Sequence, residues 1–268
     1  MSCGSACGNK GGGACGCTDA VGVDSGRRDF IRAAAASTVT MLAAGVTLYT
    51  FGADPAAAAR MPEEKVTSKV RWGLLIDVSK CADGCNRCVT ACQEENGWRD
   101  TGHPETDAQW IRQLTVKNPR NGATFSLPMM CQHCANPPCV DVCPTGASFK
   151  RADGIVLVDK HTCIGCRYCM MACPYKARSF VHEPIEDQKP HAPRGKGTVE
   201  SCTLCVHRVD EGRSPACVEA CHDTAGRAML FGDLNDPSSE ISKRVAALRT
   251  NRIRADLGTD PGVYYRNI

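Results

Sequence analysis

Sixteen of the twenty cysteines lie in four tight groups, and their spacing constrains this chain more than any other feature of the sequence. Disulfide frameworks spread their cysteines, because a bridge that closes a longer loop constrains the unfolded chain more. They are also typical of chains below about 100 residues, whereas this chain has 268. Gaps of two or three residues instead bring several thiolates onto one small inorganic core. The groups therefore predict metal centres, and in chain order they are Cys81, Cys85, Cys88 and Cys92; Cys131, Cys134, Cys139 and Cys143; Cys163, Cys166, Cys169 and Cys173; and Cys202, Cys205, Cys217 and Cys221.

The third group has the most specific spacing. From Cys163 to Pro174 it reads C-x2-C-x2-C-x3-C-P, the run found in bacterial ferredoxins. In that pattern three cysteines hold one iron–sulfur cluster and the fourth reaches a second cluster. Zinc sites use two separated C-x2-C pairs, which fit three consecutive short gaps poorly. This group therefore predicts an iron–sulfur cluster.

The other three groups are looser versions of the same pattern. The second has one longer gap and the same ending at Pro144, and the first lacks the proline. The last has eleven residues between Cys205 and Cys217, and it ends in His222. Its C-x3-C-H ending is close to the C-x2-C-H of haem attachment, but haem would leave Cys202 and Cys205 without partners. Four groups in tandem support one another and predict four [4Fe–4S] clusters.

The crossing of the fourth ligand predicts which cysteines share a cluster. If the second and third groups form one module, each cluster takes three cysteines from one group and the last cysteine of the other. The outer groups are paired by analogy with the inner ones. The predicted sets are Cys131, Cys134, Cys139 with Cys173; Cys163, Cys166, Cys169 with Cys143; Cys81, Cys85, Cys88 with Cys221; and Cys202, Cys205, Cys217 with Cys92.

A short apolar or β-prone run precedes each group, at residues 72–78, 124–127, 155–158 and 198–201. Helical turns are expected after the groups, for example at residues 145–147 and 175–177. The predicted fold class is α+β, with two tandem double-cluster ferredoxin-like modules and loop inserts. The four-cluster domain spans residues 66–221, with an inner module at 131–173 and an outer module formed by 81–92 and 202–221. Residues 93–130 and 183–199 are the inserts, and residues 222–268 are expected to form a docking tail with a helix near 239–248.

The N-terminal segment, residues 1–59, contains a twin-arginine sequence. Arg27 and Arg28 are followed by Phe30, a weakly hydrophobic stretch at residues 33–52 and alanines at 56–59 that suit a signal peptidase. Iron–sulfur clusters are assembled in the cytoplasm, so export of the folded protein by the twin-arginine route is predicted. The alternatives are a transmembrane anchor and an amphipathic helix, and cleavage or retention of the signal stays open. Four further cysteines precede the twin arginines and receive no function: Cys3, Cys7, Cys15 and Cys17.

Residues 66–268 resemble the four-cluster ferredoxin-like electron-transfer subunits of membrane-bound oxidoreductases. The resemblance is carried by Cys131-Gln-His-Cys134 and by residues 137–147 and 171–175. That family includes the partners of dimethyl sulfoxide, polysulfide and tetrathionate reductases and of formate-dependent nitrite reduction. Within it, residues 106–112 and 189–196 are similar to the exported iron–sulfur subunit (DsrO type) of the DsrMKJOP complex associated with dissimilatory sulfite reduction.

The resemblance implies a periplasmic subunit that relays electrons between a quinone-interacting integral membrane subunit and further redox subunits such as a cytochrome. Membrane association is then expected through these partners. The residues themselves show no nucleophile–base constellation, so no catalytic site is expected. The balanced charge, +3 by formula, gives no case for nucleic-acid binding. The alternatives are an iron–sulfur subunit of a molybdopterin-dependent or nitrite-reducing oxidoreductase, and a zinc-stapled structural interaction protein.

Basic residues flank the third group. A positive charge favours the reduced, more negative cluster, so Arg167, Lys176 and Arg178 predict a comparatively high potential there. The alternative is ordinary solvated surface charge. His133 either donates a hydrogen bond to a cluster or fills its loop. Three tryptophans are expected to pack against the cluster modules: Trp72, Trp98 and Trp110.

Overall fold

Short strands and helices alternate along the part of the chain that the structure, a computed structural model, describes: residues 66–186, 188–222 and 227–268. The twin-arginine sequence and the four N-terminal cysteines lie outside these residues. Within them, the α+β fold class is confirmed. The strands are β1 (Trp72–Asp77), β2 (Ile111–Lys117), β3 (Thr124–Met130), β4 (Ser148–Lys150), β5 (Val156–Val158), β6 (Ser179–Phe180), β7 (Val199–Glu200), β8 (Met229–Asp233) and β9 (Val263–Arg266). The helices are α1 (Arg87–Asn96), α2 (Pro138–Asp141), α3 (Tyr168–Ala172), α4 (Val206–Asp210), α5 (Ala216–His222) and α6 (Glu240–Ala247), with 3-10 turns at Val78–Lys80 and Ala255–Leu257.

The largest sheet has the order β8-β1-β9, with β1 at its centre. β1 pairs antiparallel with β8 and parallel with β9. Leu74, Leu75 and Ile76 of β1 are all buried, because a central strand that is covered on both faces needs a continuous apolar run. The sheet therefore joins the strand before the first cysteine group to the C-terminal residues.

The C-terminal residues, which are expected to form a docking tail at residues 222–268, contribute to the largest sheet. Two of the three strands of this sheet, β8 and β9, come from these residues, and Tyr265 of β9 is fully buried. The Tyr265 hydroxyl donates to the Pro128 carbonyl and accepts from Gln132 Nε2. The expected helix is present as α6, which begins after Ser239, whose hydroxyl accepts from the backbone N–H of Ser242. The C-terminal residues thus complete the core, and a role in docking stays a prediction.

Three antiparallel pairs of strands connect the cysteine groups: β2 with β3, β4 with β5, and β6 with β7. The first of these hairpins occupies the insert at residues 93–130 and buries Ile111 against Met130. In the second insert, residues 183–199, the described residues form a loop up to β7, as its proline and glycine content predicted. Among the helices, α1 packs against α5, and α2 packs against α3.

The helices begin inside the cysteine groups rather than after them. Residues 145–147 and 175–177, expected to be helical turns, contain no helix. The last two cysteines of a group are four residues apart, so a helical turn places both sulfurs on one face. After the fourth cysteine, Pro144 and Pro174 disfavour further helix. This requirement explains why helices as short as α2 and α3 form where they do. No helix in the described part of the chain has the length and hydropathy that crossing a membrane requires.

Candidate metal centres

The fold gathers the sixteen cysteines into four groups of four that differ from the groups in the sequence. In each, three cysteines come from one sequence motif and the fourth from its partner motif. We name them site A (Cys81, Cys85, Cys88, Cys221), site B (Cys92, Cys202, Cys205, Cys217), site C (Cys131, Cys134, Cys139, Cys173) and site D (Cys143, Cys163, Cys166, Cys169). These are the four sets expected from a crossed fourth ligand. Their role as cluster ligands stays a prediction.

Site A surrounds an accessible cavity. Its cysteines line a cavity of about 220 Å³ together with Lys80, Arg87 and Met229. Cys221 reaches this cavity from the end of α5, which packs against α1. The next residue, His222, lies within hydrogen-bond distance of the Met229 carbonyl, 3.0 Å from Nε2. His222 thereby ties the end of α5 to β8 in the place where the motif usually has proline.

Site B is buried and surrounded by neutral hydrogen-bond donors. Its four cysteines line one pocket with Trp110. The indole N–H of Trp98 donates to Cys92 Sγ at 3.2 Å, and Asn96 Nδ2 lies 3.5 Å from the same sulfur. Two of the three tryptophans therefore contact a site, as expected, while Trp72 stacks on Phe231 with ring centroids 5.0 Å apart.

A polar network holds the helices around site B. The Glu95 carboxylate of α1 contacts His207 Nε2 and Arg208 Nη1 of α4, each at 2.7 Å. Burial opposes ionisation of Glu95, but these two partners outweigh it and lower its pKa. Arg208 also pairs with Glu219 of α5. His191 contacts the Glu95 carbonyl at 2.8 Å, so the second insert is tied to the same point. The sequence did not single out this network, because its members are ordinary polar residues far apart in the chain.

Site C is the most deeply buried, and each of its four cysteines is only 7 % exposed. Burial raises the pKa of the Cys134 thiol to about 11, with contributions from Cys139 and Cys173. The Tyr175 hydroxyl, which follows this site in the chain, shares a 2.6 Å hydrogen bond with Thr259 from the C-terminal residues. The C-terminal segment therefore covers site C.

Site D lies nearest to solvent. Cys166 is exposed, and Cys143 and Cys163 are half-buried. Backbone N–H groups of Ser148 and Val199 donate to the Cys143 and Cys163 sulfurs at 3.3 and 3.5 Å. Between the cysteines, Gly165 has a φ of +70°, and a Cβ there would lie 2.1 Å from the Gly197 carbonyl oxygen. Only glycine fits this turn.

The four sites follow one another in the order A, B, C, D. Sites A and B share α1, which carries Cys88 and Cys92 one turn apart. Burial is the main reason that the pKa of Cys202 in site B is raised, and Cys131 of site C adds to it. Between sites C and D, burial likewise raises the pKa of Cys139, and Cys169 adds to it. The inner sites B and C are the buried ones, whereas sites A and D contain the more exposed cysteines.

The donor sets fit iron–sulfur clusters. Burial raises the pKa of the Cys88 and Cys92 thiols to about 12, and neighbouring cysteines add to both shifts. Several such thiolates do not coexist in a buried site without a cationic core, and coordination by a metal deprotonates a thiol outright. Four convergent sulfurs with no nitrogen or oxygen donor match the Cys₄ ligation of [4Fe–4S] clusters. Cys₄ zinc sites have the same donors, so the donor set alone does not separate zinc from iron–sulfur. The cysteine spacing, which fits zinc poorly, favours iron–sulfur clusters.

The rings of His133 and His222, which adjoin the cysteine motifs, contact backbone groups. His133 accepts from the Val156 backbone N–H through Nδ1 at 3.1 Å. Burial, with the charges of Arg71 and Arg178, lowers its pKa to about 3, so the ring is neutral. The second of its expected roles, packing within the loop, is the one that this hydrogen bond supports. In the described part of the chain, the recorded ring hydrogen bonds of His133 and His222 go to backbone groups and not to a cysteine sulfur.

Comparison with known proteins supports iron–sulfur clusters in this chain. Residues 123–234 match the model of the 4Fe-4S dicluster domain. The chain is 43% identical over 232 residues to the Hdr-like menaquinol oxidoreductase iron-sulfur subunit 1 of Archaeoglobus fulgidus, covering 76% of this chain and 86% of that protein. It is 36% identical to a tetrathionate reductase subunit of Salmonella typhimurium, over 91% of this chain and 89% of the relative. It is also 36% identical to the iron-sulfur cluster-binding subunit of menaquinone reductase of Nitratidesulfovibrio vulgaris, over 74% and 89%. The chain therefore belongs to the family of ferredoxin-type iron–sulfur subunits of menaquinol oxidoreductases and related reductase complexes.

Proposed function

We propose that the chain holds four [4Fe–4S] clusters, one in each of sites A to D, and relays single electrons along them. In this proposal the inner module contains sites C and D and the outer module contains sites A and B. The observation that carries the proposal is the linear order of the four cysteine sets, with buried sets in the middle and exposed ones at the ends. Bound clusters supply one-electron chemistry, and a chain of them spans the protein.

The protein supplies ligation, insulation and tuning. Burial of sites B and C excludes water from the middle of the path. The donors from Trp98 and from the backbone at Ser148 and Val199 favour the more negative, reduced form, because hydrogen bonds to sulfur raise a cluster potential. No acid–base or nucleophilic constellation is part of the proposal, so the chemistry of the substrate belongs to a partner subunit.

The face around site D is proposed as the contact with a redox partner. Large apolar side chains are exposed around this site: Val142, Phe149, Ile164, Tyr168 and Met171. Large exposed apolar patches mark interaction surfaces. Lys150, Arg167 and Lys176 are exposed nearby, so a partner with an acidic rim fits this face.

We infer that the partners include a quinone-interacting integral membrane subunit and a further redox subunit such as a cytochrome. The relatives named as menaquinol oxidoreductase and menaquinone reductase subunits support the quinone link. The relatives named as tetrathionate reductase and sulfite dehydrogenase subunits support a link to sulfur metabolism, for which the DsrO-type subunit is the proposed assignment. The twin-arginine sequence at Arg27 and Arg28 supports a periplasmic location. A molybdopterin-dependent reductase is the second candidate complex, and the relative named as a dimethyl sulfoxide reductase subunit favours it.

The cofactor content tests the proposal directly. The full chain, purified under anaerobic conditions, is expected to be brown, to bleach on reduction and to contain about sixteen iron atoms, four for each cubane cluster. Iron, sulfide and zinc analysis and electron paramagnetic resonance (EPR) of the reduced protein measure this. Colourless protein with stoichiometric zinc contradicts the proposal and supports the zinc-stapled alternative. Co-purification of the membrane complex under mild detergent identifies the partners.

Acidic residues on the face around site D are expected to block partner docking without affecting the clusters. Ile164 and Met171 are 66 % and 67 % exposed, so glutamate at both positions costs little in folding. The pair Ile164→Glu and Met171→Glu is expected to reduce partner co-purification and electron transfer at least tenfold, because it buries charge in an apolar contact. Leu257→Glu, at a 43 % exposed apolar residue outside this face, is the matched control. Undiminished co-purification in the double variant, with iron content unchanged, contradicts this docking face.

A further inference from the structure

Arg178 lies buried between two of the proposed cluster sites. Arg178 is 5 % exposed and lies immediately before β6. The guanidinium Nη2 donates to Cys139 Sγ of site C at 3.2 Å and to the Ser148 hydroxyl at 2.8 Å. Ser148 in turn donates its backbone N–H to Cys143 Sγ of site D. The guanidinium therefore contacts site C directly and reaches site D through Ser148.

The charge of Arg178 also acts on site D itself. Burial raises the pKa of the Cys169 thiol, and the nearby positive charge of Arg178 opposes that shift. Burial raises the pKa of Cys131 in site C, and Arg178 opposes this shift too. The same guanidinium thus favours negative charge on sulfurs of both sites.

No carboxylate in the described part of the chain neutralises Arg178. Three other arginines with little exposure pair with carboxylates: Arg151 with Asp153 and Asp210, Arg194 with Glu200, and Arg208 with Glu95 and Glu219. Within the described residues Arg178 forms no such ion pair, and its buried Nε and Nη1 atoms have no hydrogen-bond partner. A buried charge without a counter-charge is strongly unfavourable, so the negative charge that compensates it must come from the sulfur sites on either side.

We propose that Arg178 is a positioning residue shared by sites C and D, which raises the reduction potentials of both clusters together. The inference rests on the proposed function, because it requires clusters in these sites. Reduction adds one negative charge to a cluster, and a permanent buried cation stabilises that charge. Arginine stays protonated, so the effect persists across the pH range in which the protein is folded.

Arg167 offers a matched control for the same change of charge. It flanks site D two residues before Cys169, but it is exposed and its guanidinium stacks on Phe180 at 3.8 Å from the ring centroid. Solvent and salt screen a charge at the surface, whereas a buried charge is screened much less. Sequence position alone does not separate these two arginines, since both lie close to the third cysteine group.

The test is EPR-monitored redox titration of the cluster-loaded full chain, comparing R178Q with R167Q. In R178Q, both the site C and the site D reduction equilibria are expected to shift at least tenfold toward oxidised, or 59 mV for a one-electron couple. In R167Q, neither equilibrium is expected to shift by more than about threefold, because surface charge is screened. Loss of individual ligands, such as Cys139 for site C and Cys163 for site D, assigns the signals. Unchanged midpoints in R178Q, or a shift confined to one site, overturn the proposal.

R178K separates the charge from the packing. The lysine ammonium keeps the charge but lacks the planar guanidinium that reaches both site C and site D. We therefore expect the midpoint potential of one of the two clusters to recover toward the wild-type value and that of the other to stay low. If R178K falls at both sites as far as R178Q, packing explains the shift and the proposal fails. If R178Q does not retain its iron, R178M, which fills similar space without a charge, takes its place, and two unchanged midpoints in R178M overturn the proposal. Wild-type protein without iron–sulfur signals instead contradicts the proposed function, which keeps the two failures distinct.

Discussion

Replacing Cys139 with alanine is expected to abolish electron transfer between the two ends of the protein while leaving sites A and B loaded. Cys139 is a buried member of site C, and site C lies between site B and the exposed site D. Because the order of the sites is linear, loss of one inner cluster leaves electrons no alternative route between sites B and D.

The measurements are iron content, EPR spin count and the rate of electron transfer from a reduced quinol analogue through the assembled complex. Cys139→Ala is expected to lose about four iron atoms, one cubane, and at least a hundredfold in rate. Val140→Ala is the control, because it shortens a neighbouring side chain of α2 without removing a sulfur. Electron transfer at the wild-type rate in protein that lacks the site C cluster contradicts a linear path.

Replacing Arg194 with methionine is expected to destabilise the protein by about 3–5 kcal/mol, because it leaves a buried carboxylate without its counter-charge. Arg194 Nε and Nη2 donate to the two carboxylate oxygens of Glu200 at 2.9 and 2.8 Å, and the two side chains are 6 % and 0 % exposed. Arg194 Nη1 also donates to the Gly97 carbonyl at the end of α1. The pair therefore fastens the second insert to β7 and to the helix that carries Cys92.

Thermal unfolding of the cluster-loaded protein measures this loss of stability. For a protein of this size we expect the melting temperature to fall by about 6–20 °C. Site B is expected to lose iron first, because the end of α1 loses its anchor. Arg213→Met, which breaks the exposed pair with Glu211, is the matched control and is expected to change nothing measurable. Adding Glu200→Gln to Arg194→Met is expected to restore part of the stability, since no buried charge is left unpaired. An Arg194→Met variant as stable as wild type contradicts a structural role for the pair.

The elements that contact the proposed clusters were largely predictable from the sequence. Short strands were expected before the cysteine groups, and β1, β3, β5 and β7 lie there. The helices were predicted a few residues too late in the chain, because apolar periodicity does not mark the helical turn between the last two cysteines of a group. The C-terminal strands β8 and β9 were missed, because their partner β1 lies about 150 to 190 residues away in the chain and such pairing leaves no local signal.

The burial of the basic residues near the third cysteine group was not predictable from the sequence, as Arg167, Lys176 and Arg178 illustrate. All three flank the third cysteine group and were given one role, to raise a cluster potential. In the structure Arg167 and Lys176 are exposed, whereas Arg178 is buried against Cys139. Burial decides the electrostatic strength of a charge, because solvent screens the exposed residues. The sequence neighbours of Arg178 contain no sign of this difference.

The sequence by itself determined the number and type of the candidate sites in this protein, because thiolate spacing is local. Three cysteines within a few residues and a fourth one turn further along specify a site and its crossed partner, as Cys163 to Cys173 illustrates. Only the tertiary structure decided the order of the sites, the burial of sites B and C, the exposed apolar face at site D and the position of Arg178 between two sites. Those properties arise from contacts between segments far apart in the chain, and local spacing does not encode such contacts.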